Sequence, residues 1–90
     1  MIEKSYKIIS VNGIHARVAS ILVREAFSFK SDITLNLNNI CVDLKSIMGV
    51  MSLGIYSNEI IKITCCGEDE VEAMNHLDNF IHELKLGKDY

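Results

Sequence analysis

The sequence has no proline, only five glycines and only three cysteines in 90 residues. Without proline there is no proline-rich linker, and five glycines cannot support a collagen-like repeat. The cysteines are Cys41, Cys65 and Cys66: an odd number, two of them adjacent, with no C-x-x-C. That pattern predicts neither a disulfide framework nor a zinc cage, but reduced thiols buried or half-buried in strands. Long hydrophobic runs are also missing. The longest uncharged stretch, Ser46 to Asn58, is 13 residues and is broken by serine and glycine. A membrane-spanning helix needs about 20 apolar residues. The opening Met1-Ile2-Glu3-Lys4 lacks the basic region and apolar run of a signal peptide, so a cytoplasmic location is expected. No G-x-S-x-G, P-loop or G-x-G-x-x-G occurs.

What is present is a globular composition, 49% hydrophobic and 23% charged, at the length of one domain, residues 1–90. The net charge of −3 argues against direct binding of nucleic acid. Its distribution is uneven. Residues 68–90 hold seven acidic and two basic side chains, and residues 1–67 hold five acidic and seven basic. An anionic ligand or acidic partner is therefore expected at the first part of the chain.

Periodicity divides the chain into elements. Ile2, Tyr6 and Ile8 share one side of a strand that Lys4 interrupts, and Asn12-Gly13 ends it. Ala19, Leu22, Val23 and Ala26 then follow a helical stripe, with Arg17, Ser20 and Arg24 off it. Ile33, Leu35 and Leu37 alternate with polar residues as a strand. Asn38-Asn39 turns, and Ile40, Val42 and Leu44 alternate in the returning strand. Ser46 is placed to cap a short helix carrying Ile47, Met48, Val50 and Met51. A strand from Glu59 to Cys66 puts Ile61, Ile63 and Cys65 on one face. Asp69 with Glu72 suggests a capping box for a last helix with a Val71, Met74, Leu77, Ile81, Leu84 stripe, stopping near Gly87. The order βαββαβα predicts an α+β sandwich, an antiparallel sheet with helices on one face.

His15 falls at the start of the first helix, where unpaired N–H groups and the helix dipole favour an anion. Arg17 adds a cation whose shape matches phosphate. An imidazole in that place is either an ordinary polar residue of a helix start or a phosphoryl acceptor. Ser46 is likewise an N-cap, a site of regulatory phosphorylation, or both. Ile47, Met48, Val50 and Met51 cannot all face inward on so short a helix, so some are expected on the surface, where methionine suits an adaptable partner contact. His76 and His82 lie six residues apart on different helix faces and make no metal pair. The acidic run Glu68-Asp69-Glu70 reads as charge complementing a helix dipole.

Asn12-Gly13-Ile14-His15-Ala16-Arg17 resembles the active-site segment of the HPr family, the histidine-containing phosphocarriers of the bacterial phosphoenolpyruvate-dependent sugar phosphotransferase system. Lys45 to Gly54 resembles the family's second signature, and Gly67-Glu68-Asp69-Glu70 with Ala73 resembles the start of its last helix. The resemblance implies an open-faced β-sandwich of four antiparallel strands and three helices. It implies that His15 takes a phosphoryl group on Nδ1 from enzyme I and passes it to IIA domains of sugar permeases, with Arg17 neutralising the group. It implies that Ser46 is the site of an HPr kinase/phosphorylase, and that Arg24, Ile47, Met48 and Met51 belong to the partner surface. Such a protein is a carrier and not an enzyme; no cofactor or metal is implied, and a monomer is expected. Val18 stands where the family usually has proline, which predicts altered rigidity or partner fit and not lost chemistry. The competing reading is a regulatory module acting through phospho-Ser46 on a catabolite-control transcription regulator. Retention of His15 speaks against it.

Overall fold

The computed structural model describes all residues from Met1 to Tyr90. The strands are β1 (Ile2–Ile8), β2 (Asp32–Leu37), β3 (Ile40–Asp43), β4 (Ile60–Cys66) and β5 (Gly87–Asp89), and the helices are α1 (Ala16–Phe27), α2 (Ile47–Ser52) and α3 (Glu70–Glu83). The strands form one sheet in the order β3-β2-β4-β1-β5, with every neighbouring pair antiparallel. This is the expected open-faced sandwich with one correction: the sheet has five strands where the sequence predicts four.

Alternation decides which sheet face is covered. Tyr6, Ile8, Ile33, Leu35, Leu37, Ile61, Ile63 and Cys65 are buried. Thr34, Asn36, Lys62 and Thr64, on the opposite face of the same strands, are only half-buried. In register, Tyr6 faces Ile61, and Ile63 lies between Lys4 and Leu35. The helices close the apolar face. In α1 the buried residues are Ala19, Leu22, Val23 and Ala26, the stripe read from the sequence. A leucine such as Leu22, 1% exposed, contributes about 2 kcal/mol by leaving water. Asn38 and Asn39 turn the β2–β3 hairpin with φ of 51° and 68°, the left-handed angles that asparagine tolerates.

The last helix departs from expectation in three ways. Its inward stripe is Ala73, Met74, Leu77 and Ile81, while Val71 and Leu84 are exposed. Glu72 makes no capping box. Glu70 instead accepts the Gly67 N–H at 3.2 Å, and the Asp69 carboxylate leaves its own helix to accept from Lys30 N, Ser31 N and Ser31 Oγ at 2.9, 2.9 and 2.5 Å. The Ser31 N–H and hydroxyl outcompete the helix's own N–H groups, because they sit in a partly buried seam where leaving them unpaired costs more. Third, the helix stops before Gly87. Lys85 takes φ of 52°, its N–H donates to His82 O at 3.0 Å, and Leu86 N–H donates to Ile81 O at 3.0 Å. This is a Schellman ending with lysine in the left-handed place. It turns Leu86 into the core and sends Gly87 to Asp89 back along β1 as β5. A side chain at Gly87 would press on Lys7 O at 3.2 Å and Tyr6 Cβ at 3.3 Å.

All three cysteines are free, but Cys41 and Cys66 are exposed, so burial is right only for Cys65. Burial pushes the Cys65 thiol up to about 11, which keeps it protonated and inert at neutral pH.

Candidate functional site

The site starts from a turn that only glycine can make. Gly13 N–H donates to Ser10 O at 3.0 Å, Gly13 has φ of 62°, and a Cβ there would collide with the Ile55 carbonyl oxygen. Next, Ile14 N–H donates to that same Ile55 oxygen at 3.0 Å. The loop before α1 is thus fastened to the segment after α2, and His15 emerges between them. Asn12-Gly13 marked a turn in the sequence, but its closeness to Ile55 carries no sequence signal.

His15 is the N-cap of α1, with extended φ/ψ of −89° and 176°, and its ring makes no cap hydrogen bond. Its carbonyl oxygen accepts the first helical bond, from Ala19 N at 2.9 Å. The N–H groups of Ala16, Arg17 and Val18 have no partner, and the first turn carries no acidic residue. An N-cap side chain lies where its atoms meet the second and third of those N–H groups. An oxyanion carried on the His15 ring would therefore face unpaired donors and the positive end of the dipole. Arg17 is exposed and forms no ion pair, leaving its guanidinium available.

The other residues singled out lie on elements that touch. Helix α1 packs against α2. Ser46 caps α2 by accepting the Gly49 N–H at 3.0 Å, as its position predicts. Val50 turns into the core, while Ile47, Met51 and above all Met48, 84% exposed, stay on the surface. Arg24 lies outward on α1 with a loose 3.9 Å contact to Glu25. Ile55, fastened to the His15 loop, follows the C-terminus of α2, whereas Ser46 is at its N-terminus. The six residues of α2 span about 9 Å, so Ser46 and the His15 loop stand at opposite ends of that helix.

Two features escaped sequence reasoning. Lys45 Nζ donates to Phe29 O at 2.8 Å, tying the entry of α2 to the end of α1. Tyr56 is exposed with its Cα against Gly13, so an aromatic side chain borders the His15 loop. One depression of about 360 Å³, lined by Asp32, Ile33, Thr34, Asp43 and Lys45, lies by the β2–β3 hairpin and includes no site residue. Side-chain donors of Asp78, His82 and Asp89 converge within 4.8 Å. The Lys4 ammonium already sits 2.8 Å from Asp78 and 3.5 Å from Asp89, so this group is an ion-pair cluster.

Comparison with known proteins bears on this geometry. Residues 2–83 match the model of a family described as the PTS HPr component phosphorylation site. The chain belongs to the HPr family. Among solved structures it is similar to the histidine-containing phosphocarrier protein of Mycoplasma, with 34% identity, 97% of this chain and 99% of that chain covered, and a TM-score of 0.93. Phosphocarrier protein HPr of Bacillus anthracis gives 38% identity, 88% and 94% coverage, and a TM-score of 0.81. Crh, the catabolite repression HPr of Bacillus subtilis, gives 35% identity, 92% and 95% coverage, and a TM-score of 0.72, and its structure is a swapped dimer. That dimer does not fit a strictly monomeric expectation for the family. HPr proteins are phosphocarriers of the phosphotransferase system, carriers of a group rather than catalysts in the classical sense. No helix of this HPr-family chain is long and apolar enough to cross a membrane.

Proposed function

We propose that this HPr-family chain is a cytoplasmic phosphocarrier that takes a phosphoryl group on His15 from enzyme I and passes it to IIA domains of sugar permeases. The observation that carries the reading is the first turn of α1: a histidine N-cap with a free ring, above three unpaired N–H groups and no acidic residue. In the first step the His15 Nδ1 lone pair attacks phosphorus. A new N–P bond forms as the bond to the donor breaks, and the donor leaves with its electron pair. The backbone N–H groups and Arg17 hold the phosphoryl oxygens, where fixed donors are worth most because they need no reorganisation. In the second step His15 is the leaving group to the acceptor. Val18 supports this chemistry and does not remove it: its N–H is unpaired, a third donor that a proline there would lack.

Arg24, Ile47, Met48 and Met51 form the partner surface beside that turn. Ser46 acts as a regulatory site for an HPr kinase/phosphorylase. A phosphoryl group there would add about −1.5 to −2 charge. Ser46 lies about 9 Å from the other end of α2, near the screening length of about 8–10 Å. Its charge therefore acts on docking more than on the His15 ring.

The similarity to Crh favours a second reading, a regulatory module that engages a catabolite-control transcription regulator through phospho-Ser46. Mass spectrometry after incubation with phosphoenolpyruvate and enzyme I from the same organism separates the two. An acid-labile phosphoryl group on His15 that vanishes in His15→Ala is the expected result. No label on folded protein, with Ser46 still accepting phosphate from its kinase, selects the regulatory module. Sedimentation of both forms determines whether the carrier is a monomer.

A further inference from the structure

The fifth strand is attached by side chains as well as by its ladder. Lys4 projects from the inner side of β1 and donates to Asp78 Oδ1 of α3 at 2.8 Å, and the Tyr6 hydroxyl donates to the same oxygen at 2.7 Å. One turn further along α3, His82 bridges onward. Its Nδ1 is 2.8 Å from the Asp78 carbonyl oxygen, and its Nε2 is 3.0 Å from Asp89 Oδ1 on β5. Asp89 is the β5 residue in register with Tyr6, and the Tyr6 and His82 rings stand edge to face at 6.1 Å.

A carbonyl oxygen and a carboxylate only accept hydrogen bonds. Both ring nitrogens of His82 therefore face acceptors, and a neutral imidazole has one N–H. The geometry points to a proton-dependent latch: His82, as imidazolium, clasps β5 to α3 through Asp89, and loss of one ring proton loosens β5 from β1.

The groups facing His82 are Asp78 from its own helix, Lys4 and Tyr6 from β1, and Asp89 from β5. Two of these hold their charge when the ring loses its proton. The Asp78 hydrogen bond raises the Lys4 pKa, so Lys4 stays cationic and keeps its 3.5 Å contact with Asp89. Burial works to raise the Asp78 pKa, but hydrogen bonds from Lys4 and Tyr6 outweigh it and hold the carboxyl low. Meanwhile Leu86, buried, accepts from Ile9 N at 2.9 Å and keeps the root of the strand in place. The latch therefore loosens the outer end of β5 without detaching it. Three residues of ladder are few enough for one charge-assisted hydrogen bond to matter. The loosened state bares the backbone edge of β1, the edge on which another strand can add.

The test is NMR of the whole chain between about pH 5 and about pH 8, the range in which imidazoles titrate. Ring nitrogen shifts report the protons on His82. Hydrogen exchange of the Lys7, Lys88 and Tyr90 amides, divided by the unstructured rate at each pH, reports docking of β5; Tyr6 and Ile61 on the β1–β4 seam are the control. The expected result is two ring protons at low pH and a fall in β5 protection of about fivefold that tracks loss of one of them. The seam should not change. In His82→Phe, β5 protection should be low and independent of pH. Protection that stays level while the ring titrates, or a ring with one proton at low pH, overturns the latch.

Discussion

At the residue scale, the role proposed for His15 rests on what it leaves unused. Serine or aspartate at an N-cap would take up one of the first-turn N–H groups; the imidazole makes no such bond, so all three donors remain for a ligand. Three substitutions examine this. Arg17→Ala should slow transfer from enzyme I by about ten- to a hundredfold, the loss of one charge-assisted hydrogen bond. Its unfolding free energy in urea should stay within about 0.5 kcal/mol of the parent, because the side chain is exposed and unpaired. A single-turnover assay beside a denaturation curve checks both. An unfolded variant would show that Arg17 acts on the fold. Val18→Pro, which removes one of three donors from the first turn, should leave the fold intact and change the transfer rate by less than about tenfold. Gly13→Ala should cost about 1–3 kcal/mol, because φ of 62° and the Ile55 carbonyl both oppose a Cβ. It should lose transfer activity even in its folded fraction, since that contact places His15.

At the element scale, the two ends of a helix behave differently. Lysine at position 85 holds φ of 52° in the Schellman ending of α3, a conformation in which glycine carries no Cβ penalty. Lys85→Gly should therefore stabilise the protein by about 0.5–1 kcal/mol in urea denaturation, after the added freedom of the unfolded chain is subtracted. No gain would mean that the lysine stem packs favourably there. For α2, Ser46→Asp should keep the cap, because aspartate serves that position as well as serine. It should weaken phosphorylation by enzyme I through charge on the partner surface, raising KM more than it lowers kcat. Equal kinetics would remove the coupling between the two sites.

At the scale of the molecule, acid stability depends on carboxylates that join distant parts of the chain, Asp69 first among them. Hydrogen bonds from Ser31 Oγ and from the Lys30 and Ser31 amides hold Asp69 at about 2, against an ordinary 3.8. A group with a lowered folded pKa contributes its stability above the unfolded value and loses it as pH falls. The contribution of Asp69 is complete above about pH 4 and declines toward pH 2. Asp78 is held low as well, by Lys4 and Tyr6 acting against burial. Urea midpoints measured from neutral pH downward should fall in that window, and Asp69→Asn should flatten the fall while lowering stability at neutral pH. A parallel pH profile for variant and parent would place the acid sensitivity elsewhere.

Much of this protein follows from local pattern. The stripe of α1, the alternation of β2 and β4, the Asn38-Asn39 turn and the Ser46 cap each depend on a few neighbouring residues, and their periods are set by backbone geometry alone. Two motifs at a fixed separation single out His15, Arg17 and Ser46 as the proposed site. What local pattern could not supply were the long-range choices. The fifth strand requires β1 to present an edge and Gly87 to fit against Tyr6 and Lys7. Asp69 abandons its own helix only because Lys30 and Ser31 arrive beside it from 38 or more positions away. Val71 and Leu84 remain outside because α3 is turned by the sheet it packs on, and apolar surface is buried only where the tertiary fold offers a partner. The same holds for the site. The sequence by itself determined which side chains are chemically able to carry a phosphoryl group; the Gly13–Ile55 contact, made only in three dimensions, decided where the histidine stands.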